Sequence, residues 1–380
     1  MSAQAACRPL RAGIVGGGQG AFIGAVHRIA VELDGEARIV AGAMSSDPAR
    51  ARASAEAWQL ERSYDDWREM AKAEAARDDG IDFVIVVTPN HLHAPVAIAF
   101  LEAGIPVACD KPLAANVADA RAILRAVETS RLPFLLTQTY TGYPMIEQAR
   151  ELVAAGRLGT LRRVQVEYNQ DWLKDPIEAD GQKQASWRTD PERAGIGGCI
   201  GDIGTHAQNL LEYVCGSELA EVCAELSTFV EGRRLDDDAS VLLRLANGAR
   251  GTLSCSQIAC GEENALTLRL YGTEAGLEWH QQEPNTLLLK PAGRPWERWR
   301  SGGAYTGEAA LRGMRTPAGH PEGYLEAFAN LYRRFVADLR RRHAGAAPQG
   351  DYPGAAAGVR SLRFVEGAVD SSRTGGWVTL

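Results

Sequence analysis

Lys111, Asp202 and His206 have the side-chain types, and stand in the kind of setting, that proton and charge transfer require. An imidazole whose ordinary pKa lies near neutrality can take a proton from a hydroxyl group. A carboxylate can hold that imidazole or a neighbouring hydroxyl, and an ammonium can stabilise a developing alkoxide. Asp202 and His206 close the run GGCIGDIGTH at 197–206; a helix starting near Gly201 would set them at i and i+4 on one face of a glycine-lined site. Lys111 stands in CDKP at 109–112, held between a strand end and a proline. Taken singly, each has a plainer explanation: a surface lysine, a helix-terminal carboxylate, a histidine satisfied in a core.

A second constellation is the run GIVGGGQGAFIGAVHR at 13–28, which follows a predicted strand and opens a predicted helix. Gly16 allows the tight turn, and Gly18 lets backbone approach a pyrophosphate. Gly20, Ala21 and Phe22 lead into a helix N-terminus whose free N–H groups and partial positive charge suit that anion. The spacing is unusual, because Gly24 lies six residues after Gly18. Either Ala21 takes the usual third-glycine packing role, or three residues are inserted and Gly24 takes it. At the tip of the second strand, Ser45 and Ser46 with Arg50 can bind a 2′-phosphate, or Asp47 can reach a ribose diol. Ser46 or Asp47 can equally cap the helix that Pro48 begins, so NAD and NADP both stand as cofactors. Thr88, Pro89, Asn90 and His93 in TPNHLH follow another strand and reach the same sheet edge. His91 and His93 would point oppositely in an extended segment, so no metal site is expected.

These groups need a scaffold, and the chain supplies two patterns. Strands at 10–15, 37–44, 82–87, 106–108 and 133–137 alternate with helices at 23–33, 48–58, 94–103 and 117–130, as parallel βαβ units buried on both faces do. After a helix near 144–155 and a strand at 162–168, a run rich in Asp, Gln, Trp and Gly extends to about 203. Strands then follow at 221–230, 239–246, 250–260, 265–272, 276–280 and 286–290, with hairpin turns such as Asn247-Gly248. Helices at 322–341 and 354–370 end the chain. The expectation is an α/β doubly wound Rossmann domain over 1–140 and an α+β domain over 141–380 with a large, mostly antiparallel open sheet.

Composition narrows the partners. Hydrophobic residues are 45% and charged residues 23%, which excludes global disorder. A net charge of −7 argues against nucleic acid or anionic membrane as the main partner. No apolar run approaches the ~20 residues that span a bilayer, and the amino-terminal stretch does not read as a secretory leader. Seven cysteines without metal-type spacing are expected as reduced thiols in a cytoplasmic protein.

Jointly, the glycine turn, TPN with His93, KP at 111–112, Trp187-Arg188 and the Asp202/His206 pair resemble the Gfo/Idh/MocA family over essentially the whole chain. That family usually has Glu before its Lys-Pro, where this chain has Asp110. The expanded glycine turn and HPEGY at 320–324 look like a subgroup similar to levoglucosan dehydrogenase and related glycoside or cyclitol dehydrogenases. The resemblance implies NAD(P) on the first domain, contacted also by Trp187 and Arg188, and a homo-dimer or homo-tetramer through the open sheet. It maps the family's catalytic lysine, aspartate and histidine onto Lys111, Asp202 and His206. Tyr140, Trp172, Arg188 and His320, with those three, are the expected contacts of a sugar or cyclitol substrate. The expected reaction is oxidation of a secondary hydroxyl, with an NAD-dependent glycosidase or a non-catalytic dinucleotide-binding regulator as alternatives.

Overall fold

The computed structural model describes residues 8–380; Cys7 and the rest of the amino-terminal stretch lie outside the described residues. Two compact units are formed. The first comprises residues up to Thr139 together with Phe328–Val359, and the second Tyr140–Ala327 with Arg360–Leu380. Two consecutive segments, 1–140 and 141–380, were the expectation. Instead the chain returns to its first unit near the end, because helical periodicity does not reveal which sheet a late helix covers.

In the first unit β1 (Leu10–Gly16), β2 (Ala37–Ala43), β3 (Arg62–Ser63), β4 (Phe83–Val87), β5 (Val107–Cys109) and β6 (Phe134–Leu136) form one sheet in the order β3-β2-β1-β4-β5-β6. Every pairing in it is parallel. The helices α1 (Phe22–Glu32), α2 (Pro48–Ala57), α3 (Trp67–Ala75), α4 (Asn90–Glu102) and α5 (Val117–Ser130) make the crossovers. All five residues of β4 are buried, which is why FVIVV carries no polar alternation. Strand order reverses between β1 and β4, the place where a doubly wound sheet opens a crevice at its carboxyl edge. The segment 88–93 differs from its extended reading: α4 starts at Asn90, so His91 and His93 lie two apart on a helix.

The open choice at the glycine turn is resolved by packing. Gly16 has φ of +84°, and a Cβ there would lie 2.8 Å from the Val87 carbonyl oxygen. A Cβ on Gly24 would lie 2.3 Å from the Gly17 carbonyl oxygen, so Gly24 is where α1 presses on the turn. Ala21 is the N-cap of α1 instead.

The second unit holds α6 (Pro144–Ala154), β7 (Leu161–Asn169), α7 (Lys183–Arg188), α8 (Pro191–Ala194), a π-helical turn at Ile200–Gly204 and α9 (Thr205–Cys215). There follow β8 (Leu219–Ser227), β9 (Asp238–Leu245), β10 (Arg250–Ser256), β11 (Ala265–Gly272), β12 (Ala275–His280), β13 (Thr286–Pro291) and β14 (Glu297–Arg300). After α10 (Glu308–Arg312), α11 (Tyr324–His343) and α12 (Ala355–Thr374), β15 (Val378–Thr379) returns to the sheet. The order is β14-β13-β12-β11-β7-β10-β9-β8-β15, antiparallel except where β7 pairs with β10. Along β9, Val241, Leu243 and Leu245 are buried while Ser240 and Leu242 are exposed, so one sheet face makes the core. Met145, Ile146 and Ala149 of α6 and Ala207, Leu210 and Leu211 of α9 fill that core.

Gly24→Ala should cost about 1–3 kcal/mol through overpacking against backbone. The measurement is the urea midpoint at unchanged slope; a midpoint equal to the parent's would contradict the packing role.

Candidate functional site

In the first unit the residues after β1, β2, β4 and β5 share the carboxyl edge of the parallel sheet. The N-cap of α1 makes no side-chain capping bond, and its first turn contains no acid. Its backbone N–H groups and dipole therefore suit a phosphate anion. Gly18 is pressed on the end of β2, where a Cβ would lie 2.7 Å from the Met44 carbonyl oxygen. Gln19 N–H donates to Ser54 Oγ at 3.2 Å, and Arg50 donates to the Gln19 carbonyl at 3.3 Å, which brings Arg50 to the glycine turn. Asp47 caps α2, with Oδ1 accepting the Arg50 N–H at 2.8 Å, and Ser45 Oγ accepts the Asp47 N–H at 3.1 Å. Ser46, Asp47 and Arg50 are exposed at this tip. The uncapped helix end and this polar tip fit a dinucleotide, with groups for either a ribose diol or a 2′-phosphate.

His93 has a role that its motif did not announce. Its Nδ1 lies 2.8 Å from the Pro112 carbonyl oxygen and its Nε2 2.8 Å from that of Thr88. Both ring nitrogens thus face backbone, and His93 ties the turn after β4 to the turn after β5. Burial pushes its pKa below the ordinary value. Beside it, Asp110 Oδ1 accepts the Lys111 N–H at 2.9 Å and the Thr137 hydroxyl at 3.1 Å. Burial would raise the Asp110 pKa, but the nearby His27 imidazole, then Lys111 and His93, outweigh it and hold it at about 2.

In the second unit Asp202 lies in the π-helical turn rather than in an α-helix, and His206 is the second residue of α9. Asp202 Oδ2 accepts from Arg188 Nε at 3.1 Å and from Gln257 Nε2 at 2.9 Å. The Arg188 guanidinium stacks over Trp187 at 4.2 Å and reaches Trp172 at 5.8 Å. His206 is buried, its ring edge-on to Tyr140 at 4.8 Å. The Tyr140 and Tyr168 hydroxyls bond each other, and Asn264 bonds both, at 3.3 Å and 2.7 Å. Gln170 donates to Asn264 Oδ1 at 2.7 Å and accepts from Trp172 Nε1 at 3.1 Å. Burial raises the pKa of both phenols, so they stay neutral.

Tyr140, Trp172, Trp187, Arg188, Asp202 and His206 therefore share one neighbourhood. His320 is exposed and its ring contacts the Pro317 carbonyl at 3.2 Å within its own loop. Gln257, Tyr168, Asn264 and Gln170 were not singled out from sequence. All four sit at or just beyond strand ends, the one signal that could have marked them. Among the described residues no group of three or more His, Cys, Asp or Glu is arranged to hold a metal.

Comparison with known proteins agrees with both units. Residues 10–138 match the family described as "Oxidoreductase family, NAD-binding Rossmann fold", and residues 146–278 match "GFO/IDH/MocA C-terminal domain". The uncharacterized oxidoreductase YfiI of Bacillus subtilis (strain 168) is 31% identical over 380 residues, covering 98% of this chain and 97% of that one. Levoglucosan dehydrogenase of Pseudarthrobacter phenanthrenivorans is 29% identical over 79% of this chain and 81% of its own. The inositol dehydrogenase homologue of Azotobacter vinelandii, solved with NADH and myo-inositol, is 34% identical with a TM-score of 0.91, covering 98% of each chain.

The depressed Asp110 pKa has a measurable consequence. Folding lowers it from 3.8 to about 2, so its stabilisation is complete above about pH 4 and lost as pH falls through about 2. The contribution is about 2 kcal/mol. Asp110→Asn should remove it, so that the stability gap between parent and variant, read by urea unfolding, narrows between about pH 5 and pH 2. A gap independent of pH over that range would contradict the assignment.

Proposed function

Because the chain belongs to the GFO/IDH/MocA family of oxidoreductases, we propose that it is an NAD(P)-dependent dehydrogenase oxidising a secondary hydroxyl of an uncharged sugar, anhydrosugar, glycoside or cyclitol. In a pyranoside the oxidised position is C3. The observation that carries this reading is the cluster of the second unit. Asp202 is held by Arg188 and Gln257 beside a buried imidazole, among aromatic rings and neutral amides. Aromatic faces pack on the C–H faces of a sugar ring, and amides and phenols meet its hydroxyls.

The glycine turn, the α1 N-terminus and the groups at the β2 tip hold the dinucleotide, whose nicotinamide accepts the hydride. His206 takes the hydroxyl proton, and the Tyr140 ring packed against its edge restricts its plane. Two donors on one oxygen hold the Asp202 carboxylate in place, so it can orient the imidazole or a neighbouring hydroxyl. Lys111, as a cation, stabilises the developing alkoxide.

The protein acts as a homo-dimer or homo-tetramer through the open sheet face, where Leu242 is 51% exposed and Arg244 stacks over Trp377. The cysteines among the described residues are free thiols, which supports a reducing, cytoplasmic setting.

The deciding experiment follows reduced-cofactor absorbance over a panel of free sugars, anhydrosugars, glycosides and inositols, with NAD and NADP in parallel. Cleavage of an aryl glycoside without net reduction would move the reading to a glycosidase, and no response to any compound would overturn it. His206→Ala should lose about 10²–10⁴-fold in turnover while cofactor affinity survives; turnover within a few-fold of the parent would refute the base assignment. Leu242→Arg should shift the protein to smaller species in sedimentation velocity. A parent that sediments as a monomer would dismiss the interface.

A further inference from the structure

The tip of the glycine turn is held by α2 rather than by burial. Gly18, Gln19, Gly20 and Ala21 form a β-turn, closed by the Ala21 N–H on the Gly18 carbonyl at 3.0 Å, with Gly20 at φ of +79°. Gln19 and Gly20 are exposed, so apolar packing does not fix them. Both backbone groups of Gln19 meet α2 instead. Its N–H donates to Ser54 Oγ at 3.2 Å, and its carbonyl accepts from the Arg50 guanidinium at 3.3 Å.

Ser54 is 1% exposed and stands in the sequence among Ala51, Ala53, Ala55 and Ala57. A further alanine would favour the helix, and a buried hydroxyl is costly unless it is hydrogen-bonded. Here its hydrogen goes to the Arg50 carbonyl at 2.7 Å, which turns a lone pair to the Gln19 N–H. A Cβ on Gly18 would lie 2.8 Å from Ser54 Oγ, so the glycine is what admits the hydroxyl to the turn. We propose that Ser54 is a positioning residue for dinucleotide binding: it fixes the 18–21 turn in one shape before the ligand arrives, so that the N–H groups leading into α1 are already set for the pyrophosphate. Without that bond an exposed turn is ordered only on binding, and the entropy lost then lowers the affinity. This rests on the reading that the pyrophosphate lies against the glycine turn.

The test compares the full-length parent with Ser54→Ala, both checked by thermal melting. The first readout is hydrogen exchange, followed by mass spectrometry of a peptide covering 16–22 in the ligand-free protein. Without the Ser54 hydroxyl the amides of the turn exchange about fivefold faster, and saturation with dinucleotide removes the difference. The second readout is calorimetric affinity for ADP and for whichever of NAD+ and NADP+ binds the parent more tightly, with adenosine measured by displacement of ADP. Ser54→Ala weakens the dinucleotide and ADP alike by about fivefold, equivalent to about 1 kcal/mol. The loss is partial because Arg50 still reaches the Gln19 carbonyl. Adenosine has no phosphate, and its affinity changes less than about twofold.

Parent-like dinucleotide affinity in Ser54→Ala overturns the proposal. So does an equal loss for adenosine, which would mark a general disturbance of the first unit, or unchanged exchange at 16–22. A parent that binds neither dinucleotide overturns the reading on which the proposal rests. Neither readout needs a substrate, so a failure of the polyol panel bears on the dehydrogenase reading alone.

Discussion

The Asp236 carboxylate accepts the Gly198 N–H at 2.6 Å and the Ile200 N–H at 2.8 Å, and its backbone carbonyl accepts the Cys199 N–H at 2.9 Å. Three consecutive amides are thereby clamped to one residue, directly ahead of the turn that carries Asp202. The clamp demands close backbone approach: a Cβ on Gly198 would lie 2.0 Å from the Asp236 carbonyl oxygen. With its start pinned, the chain runs through a π-helical turn into α9, whose apolar side is sunk in the core. Asp202 and His206 therefore inherit their places from a buried carboxylate and a glycine.

A similar economy operates in the first unit. The protein carries a net charge of −7, yet the edge of the parallel sheet is built to meet an anion. Backbone N–H groups at α1, with no acid in the first turn, and the guanidinium of Arg50 supply local positive potential. Two carboxylates in the turns at this edge are committed elsewhere: Asp47 to capping α2, and Asp110 to the Lys111 N–H and the Thr137 hydroxyl, with His27 3.7 Å away. Local dipoles over a few ångströms outweigh a global charge screened by solvent and salt.

Much of this was legible beforehand where the physics is local. The βαβ alternation, the hairpin turns of the second unit and the strand–glycine–helix turn follow from period, turn residues and backbone freedom within a few neighbours. A cap at Ser46 or Asp47 was readable from Pro48, and the structure gives it to Asp47. Less legible were features with two local solutions. TPNHLH reads as an extended loop until α4 is seen to begin at Asn90, and GGCIGDIGTH reads as an α-helix start until a π-helical turn appears. The third glycine was ambiguous because only the approach of Gly24 to Gly17 distinguishes it from Ala21.

Residue types and their spacing by themselves determined the oxidoreductase family and the doubly wound first sheet, and they nominated Lys111, Asp202 and His206. Tertiary structure alone decided which distant residues meet within each unit. Gln257 reaches Asp202 across 55 residues of chain, and Tyr332 reaches His27 across 305. No periodicity encodes such pairs, because hydrogen bonds and burial depend on distance in space. That distance exists only once both sheets have formed and their helices have packed.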